Sequence, residues 1–414
     1  MATPTAPPLW RNRDFTLLWT SQVASTVGTR VTAVAYPLLV LLLTGSPALA
    51  GVVAFAQTLP YLLIFLPGGA WVDRWDRRRT MVVCELGRAV ALGSVAAVAL
   101  AGGVAAVSVW QLAAVAFVEG CLFVLFDLAE GAALPHLVHE TQLPTAIAYN
   151  QARTQGADLV GQPLGGVLFT LTPAAPFLVD AVTYLASGGA VAAIRSRLQA
   201  DRAPSTVRMR TQIAEGLRFV LASAFLRDSV LVVAGMNLVF NGLFLALVVR
   251  AQDLGASPAQ IGLMLGVYGA GALLGALAAP WLHRRLPGRL ILVSIAWAWA
   301  VLLAVQSVMP TPLWLGVVAG LIALPGPAFN VVFAAYVYRV TPDELMARVR
   351  SVIKLVAWGA IPVGSLLGGV LAEQLGAGPA LLVFAAGMLP VAVATTLSPG
   401  IREISAAEPA PAAD

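Results

Sequence analysis

The sequence predicts an all-α integral membrane protein of twelve transmembrane helices arranged as two six-helix bundles. Three observations carry that expectation. The first is composition: of 414 residues, 59% are hydrophobic and only 11% charged, where soluble domains carry about 45–50% and about 25%. So few charges cannot clothe a water-facing surface, which excludes a soluble globular enzyme and a disordered chain. The second is length. A span takes about 20 residues, so the chain accommodates twelve spans with short connections and little else. The third is a one-sided distribution of basic residues.

Apolar runs place the spans at 16–43, 49–71, 80–102, 108–130, 154–172, 177–194, 229–250, 260–282, 289–309, 313–338, 352–373 and 378–397. The first is too long for a signal-peptide core and no cleavage site follows it, so it counts as a span. The fifth and sixth are the most interrupted, by Pro163, Pro173 and Pro176. Connections on one side are short, such as Thr44-Gly45-Ser46-Pro47. The one sizeable connection, 195–228, falls at the midpoint and ends in an amphipathic stretch from Ile213 to Leu226, which reads as a linker with an interfacial helix. The expected organisation is an N-terminal bundle (1–194), this linker (195–228), a C-terminal bundle (229–398) and a tail (399–414).

Of the 25 basic residues, 22 sit in connections on one side or at the adjoining helix ends. Only Arg250 lies on the other side, and Arg30 and Arg88 lie within helices. Cytoplasmic loops carry the positive excess, so both termini are expected in the cytoplasm and the number of spans is even. The net charge of +5 is therefore topological and gives no reason to expect a nucleic-acid partner. The expected surroundings are the lipid bilayer of the cell membrane. Cys84 and Cys121 fall in apolar segments and read as buried small hydrophobes.

The halves echo each other. LGGVL occurs at 164–168 and at 367–371, each after a proline, Pro163 and Pro362. Polar stretches at 136–143 and 339–345 precede them, and Trp71-Val72-Asp73-Arg74 resembles Trp281-Leu282-His283-Arg284. Three echoes in the same order favour duplication of a six-helix unit, an architecture of transporters.

After the second span the chain reads Gly69-Ala70-Trp71-Val72-Asp73-Arg74-Trp75-Asp76-Arg77-Arg78-Arg79. This resembles the loop between helices 2 and 3 of the major facilitator superfamily, G-x-x-x-D-R-x-G-R-R. Gly69, Asp73, Arg74, Arg77 and Arg78 match, and Asp76 replaces the usual glycine. The resemblance implies the major facilitator fold, with this loop as a gate that latches the two halves in the outward-open state. Physically, Gly69 admits a close helix neighbour, Asp73 can face a helix N-terminus or an arginine, and the arginines hold the loop at the membrane surface. A plain stop-transfer cluster is the alternative.

Gly161-Gln162-Pro163-Leu164-Gly165-Gly166 is similar to the G-P-x-x-G-G motif of proton-coupled drug exporters, with Gln162 inserted. As packing, these glycines need only a close contact, for which the eighth span offers Gly262, Gly266, Gly271 and Gly275. Asn12-Arg13-Asp14-Phe15 with Leu18-Trp19, Pro37-Leu38-Leu39-Val40 and Phe177-Leu178-Val179-Asp180-Ala181 resemble the macrolide-efflux and siderophore-exporter-like branch. Another motif of the superfamily, an arginine in the fourth helix four residues before a glycine, is absent. Ala116 stands there before Gly120, with Glu119 beside it.

A charge at the centre of a membrane helix costs roughly 2.5–3.5 kcal/mol, so each needs a partner or a wet cavity. Arg30 lies about 22 Å along the first span from Phe15, and Glu119 about 16 Å along the fourth from Ser108. The resembled fold lines its central cavity with helices 1, 4, 7 and 10, which makes an Arg30–Glu119 ion pair a candidate for proton coupling. Asp127 and Asp158, nearer the cytoplasm, are the next candidates. Asn237 and Asn241, four apart on the seventh span, and Asn330 on the tenth are candidates for the substrate cavity or for interhelical hydrogen bonds. Glu85 and Arg88, three apart, are expected to pair with each other. His136, His139 and His283 form no metal site.

The function these features imply is secondary active export of a hydrophobic small molecule by a monomer, driven by protons, with no cofactor or metal. A facilitator or symporter for a polar metabolite is the alternative, and a non-transporting scaffold has no need of mid-depth charges. A primary ATP-driven pump is excluded within this chain. A phosphate-binding loop needs a lysine after glycine, and the only lysine, Lys354, follows Ile353.

Overall fold

The computed structural model describes residues 8–199 and 209–406. Its α-helices are α1 Arg13–Thr44, α2 Pro47–Leu63, α3 Phe65–Val72, α4 Arg77–Gly102, α5 Val109–Leu137, α6 Leu143–Leu171, α7 Ala175–Ala192, α8 Met209–Ala222, α9 Ala224–Asp253, α10 Pro258–Arg285, α11 Gly288–Ser307, α12 Pro312–Ala323, α13 Gly326–Val340, α14 Asp343–Leu375, α15 Ala377–Leu397 and α16 Pro399–Ala406. Ten helical segments are long and apolar enough to cross a membrane, with α12 and α13 counted as one. The bent pair α2–α3 makes an eleventh. The remaining long helix, α6, has 29 residues, but its first half carries Asn150, Gln151, Arg153, Gln155 and Asp158, too polar to qualify by composition alone.

Two expected spans are broken. The span expected at 49–71 bends by 55° between α2 and α3. Pro67 has no N–H for the carbonyl of Leu63, one turn earlier, so the ladder opens at Ile64. The span at 313–338 breaks at Leu324, where Pro325 and Pro327 withhold the same bond from Leu321 and Ala323. Elsewhere the ends follow the local chemistry. Gly45 takes a left-handed φ of 63° and ends α1, its N–H reaching Leu41 O. Ser46 and Ser257 cap helices that both begin with proline, α2 and α10.

The linker differs from expectation. Its helix, α8, runs Met209–Ala222, and the Ser223 side chain then accepts from Leu226 N to start α9. Phe225 and Leu226, expected in the amphipathic stretch, are buried residues of α9. Arg202 and Arg208 lie outside the described residues. The helix sits on the start of α14: a Cβ on Gly216 would lie 2.8 Å from Arg348 O, and Arg348 pairs with Glu215.

The duplication seen in LGGVL has a structural meaning. In the first copy Gly165 packs on Val31 of α1, in its own half, and Gly166 packs on Pro258 and Gly262 of α10, in the other half. In the second copy Gly368 packs on Gly242 of α9, again its own half, and Gly369 packs on Pro47 and Gly51 of α2. A Cβ on Gly369 would lie 2.8 Å from Gly51 Cα, and one on Gly166 would lie 3.0 Å from Gly262 Cα. Only glycine allows helices this close. The two halves therefore meet through two equivalent seams, α6 against α10 and α14 against α2.

Both seams are tightest at the end remote from the arginine clusters. There Glu373 of α14 accepts a hydrogen bond from the Ser46 hydroxyl and one of 2.8 Å from Ala48 N. A carboxylate of one half thus caps a helix N-terminus of the other, where the macrodipole favours negative charge. Gly166→Val and Gly369→Val are each expected to prise a seam open. With Ala50→Cys as reporter in the inner wall of the α2 seam, thiol labelling from the arginine-poor side should rise and transport fall. Unchanged labelling in Gly369→Val would mean that this seam does not seal the cavity.

Candidate functional site

Between the halves lies a cavity of about 410 Å³, adjoined by one of about 240 Å³ that shares Arg30, Ala33, Gln57, Thr58 and Asn241 with it. Its wall comes from α1, α2, α4, α5, α6, α9 and α14. The expected helices 1, 4 and 7 contribute, as α1, α5 and α9. The tenth does not. Asn330, on α13, is exposed. Asn241 lines both cavities. Asn237 instead ties α9 to α14, donating to Ala357 O at 2.8 Å.

The charges pair differently from the expected scheme. Arg30 pairs with Asp158 at 2.8 Å, not with Glu119. The reason is helix approach: Gly161, one turn after Asp158, lets α6 close on α1, where a Cβ would meet Arg30 Cβ at 2.6 Å. Nor does Arg88 simply pair with Glu85 on its own helix. Its guanidinium reaches 3.7 Å from Glu119, sits 3.9 Å from the centre of the Tyr184 ring and donates to Thr29 and Tyr184 hydroxyls. Glu85 accepts from Gln22 (2.8 Å), Ser187 (2.9 Å) and Ser25 (3.3 Å).

Glu119 is 2% exposed and belongs to the cavity wall. Tyr36 donates to its Oε2 at 3.0 Å and Tyr184 to its Oε1 at 3.2 Å. One helix away, Asp180 is wholly buried and accepts from Thr32 at 2.7 Å and Thr183 at 3.1 Å. Gly28 makes the space, because a Cβ there would overlap Asp180 and Thr183. The polar core of the first half therefore sets three buried carboxylates, Glu85, Glu119 and Asp180, around one buried guanidinium.

Toward the arginine-rich end, Arg153 grips Glu130 with two hydrogen bonds of 2.7 and 3.2 Å, tying α6 to α5. Asp127 lies 4.0 Å from Lys354 across the two halves. Each cavity cation thus has an acidic partner, as a membrane interior demands. Tyr61, Phe123, Phe126 and Trp358 supply the aromatic wall. Sequence reasoning missed Arg88, Tyr36, Tyr184 and Asp180 as one network, and missed Lys354 with Trp358. The available signal was Arg88 itself, an arginine in mid-helix.

The loop that resembles the family gate is held by α5 and by the start of the linker. Arg77 donates to Ala132 O (2.9 Å) and Leu198 O (3.0 Å), and Arg78 to Ser196 O (2.6 Å). Asp14 accepts from Ser196 N at 2.7 Å beside them. Asp73 and Arg74 are exposed, and Asp73 has no side-chain partner among the described residues. Gly69 does not serve a close contact here: nothing lies within 4 Å of its would-be Cβ, and Gly68 is the residue that faces α5. In the eighth span, α10, Gly262 and Gly266 do face α6, whereas Gly271 and Gly275 pack on α12 at Gly320 and Leu324.

Two helical halves that share a repeat and enclose a charged and aromatic cavity define a membrane transporter of the major facilitator type, not an enzyme. A family model described as transmembrane secretion effector matches residues 2–413, and the chain belongs to that family. It is 30% identical over 402 residues to the multidrug efflux pump Tap of Mycolicibacterium fortuitum, covering 92% of this chain and 94% of that protein. It is 22% identical to macrolide efflux protein A of Streptococcus pyogenes, covering 95% and 98%. The crystal structure of the nucleoside transporter NupG shares the fold with a TM-score of 0.72 at 14% identity, covering 92% of this chain and 98% of that one.

Proposed function

We propose that the chain exports hydrophobic small molecules, drugs among them, from the cytoplasm by alternating access, in exchange for protons. The observation that carries this reading is the cavity between the halves. Its wall sets the rings of Tyr61, Phe123, Phe126 and Trp358 beside hydroxyl and amide side chains and paired charges, with Glu119 the most enclosed of its carboxylates. The named efflux pumps among the relatives support the substrate class. A cavity of about 410 Å³ with an aromatic wall is of the size that holds a drug-sized ligand. The test is accumulation. Expressed in a host stripped of its own pumps, the chain should lower the cellular content of a macrolide. A content equal to that of the empty-vector host would contradict export.

In this reading α6 is the twelfth span and both termini are cytoplasmic, because the arginine clusters share one face. The chain works as a monomer in the cell membrane, with halves 1–194 and 229–398 rocking about the cavity. The seams between α6 and α10 and between α14 and α2 are closed on the outer side, so the described conformation opens inward. Glu119 takes and gives the proton, with Asp127 and Asp158 as the next candidates. A helix shift that alters the 3.7 Å gap to Arg88 would change the charge that Glu119 faces and so couple proton movement to the change of conformation.

Asp73 becomes a latch only in the opposite conformation, when the start of α14 approaches it. Asp73→Asn should insert normally yet transport more slowly. Arg77→Ala, which removes the bonds to Ala132 O and Leu198 O, should instead reduce the amount of folded protein. Wild-type transport by Asp73→Asn would leave the loop a topological signal alone.

A further inference from the structure

Lys354, the one lysine among 25 basic residues, occupies an unusual setting. Its ammonium lies 4.6 Å from the centre of the Trp358 ring and 5.0 Å from that of Phe65, within the range at which an aromatic face attracts a cation. Asp127 Oδ2 is 4.0 Å away. The rings are held by their neighbours. Trp358 meets Tyr61 edge-on at 5.2 Å and Phe65 at 5.8 Å, and Tyr61 meets Phe123 at 5.9 Å. Asp127, Tyr61, Phe123 and Trp358 all line the central cavity.

Two aromatic faces and a carboxylate are the recognition chemistry of an organic cation. We propose that Trp358, Phe65 and Asp127 form a binding site for a lipophilic monocation, and that Lys354 occupies it as a tethered stand-in until such a ligand arrives. The proposal rests on the export reading for its biological meaning and adds a substrate class to it.

Lys354 is suited to leave. Its pair with Asp127 is the longest of the cavity's ion pairs, and the two side chains are 39% and 41% exposed, against 10% for each member of the Arg153–Glu130 pair. A lysine also swings on a flexible stem, whereas the arginines are held by planar forks. The site is built from both halves: Phe65 and Asp127 come from α3 and α5, Lys354 and Trp358 from successive turns of α14. An entering cation would take the two rings and the carboxylate and free Lys354. An anion of the same shape would lose attraction if Lys354 were removed.

The test is equilibrium dialysis of the purified full-length chain in detergent against radiolabelled tetraphenylphosphonium, with tetraphenylborate as the near-isosteric anion. Lys354→Met should tighten tetraphenylphosphonium binding about tenfold, and Trp358→Leu or Asp127→Asn should weaken it by a similar factor. Lys354→Arg, which keeps a resident cation, should bind as wild type does. Tetraphenylborate should gain nothing from Lys354→Met. Unchanged or weaker tetraphenylphosphonium binding in Lys354→Met would overturn the proposal. So would an equal gain for tetraphenylborate, which would mark mere added room. Binding in detergent needs neither gradient nor translocation. A chain that shows the expected binding but lowers no drug content in cells refutes export alone. One that exports a macrolide while Lys354→Met leaves cation binding unchanged refutes this site alone.

Discussion

Arg88→Met should leave little folded protein. Arg88 is 3% exposed and, among the described residues, is the only cation set among Glu85, Glu119 and Asp180. Methionine fills much of the space but strands these carboxylates in a sealed interior. Removing one partner of a buried ion pair costs about 3–5 kcal/mol in general, a large share of the stability of any domain. Thermal unfolding of the protein in detergent should show a lower midpoint and a smaller yield. Arg88→Lys keeps the charge but cannot reach Thr29, Tyr184 and Glu119 together, so it should fall between the two. Adding Glu119→Gln to Arg88→Met removes one stranded carboxylate and should recover part of the yield without recovering transport. An Arg88→Met protein that melts with the wild type would mean that the buried acids are already neutral and need no counter-charge.

Glu119→Gln should abolish gradient-driven transport while leaving exchange intact. The amide preserves the shape and can still accept from Tyr36 or Tyr184, which donate to Glu119 at 3.0 and 3.2 Å, but it carries no titratable proton. Vesicles preloaded with unlabelled drug should still swap it for labelled drug, because alternating access itself is untouched. Concentration of drug against a gradient should drop to the level of vesicles without the protein. If Glu119→Gln still concentrates drug, Glu119 is a structural member of the polar core, and Asp158 or Asp127 carries the proton.

Most of the spans and the LGGVL repeat were legible because each depends on properties that a sequence displays directly: run length, and glycine where helices touch. Gly166 and Gly369 occupy corresponding places in the two LGGVL copies and make corresponding contacts. The interruption expected at Pro163 is not found, since α6 runs through it from Leu143 to Leu171; its polar residues 150–158 set it apart instead. The breaks at Ile64 and Leu324 were signalled by Pro67, Pro325 and Pro327 but were read through as continuous apolar runs. Pairing of charges was not legible. Depth along a helix placed Arg30 and Glu119 near each other, but which partner an arginine meets depends on how the helix is turned and how near its neighbours come. Gly161 brings Asp158 to Arg30, and Arg88 crosses from α4 to Glu119 on α5. Tyr36 and Tyr184 were hidden for another reason: in an apolar run an aromatic ring reads as core, and only the fold shows both hydroxyls aimed at one carboxylate. The gate loop was recognisable by its spacing, yet Arg77 and Arg78 are engaged by α5 and the start of the linker, which no spacing could convey.

The most direct measurement of proton-driven export uses everted membrane vesicles containing the wild-type chain, given an acid-inside pH step and no other energy source. Drug uptake should rise well above that of vesicles lacking the protein and collapse when an ionophore dissipates the step. Uptake that ignores both the step and the ionophore would contradict proton coupling, and uptake equal to that of vesicles without the protein would contradict export itself.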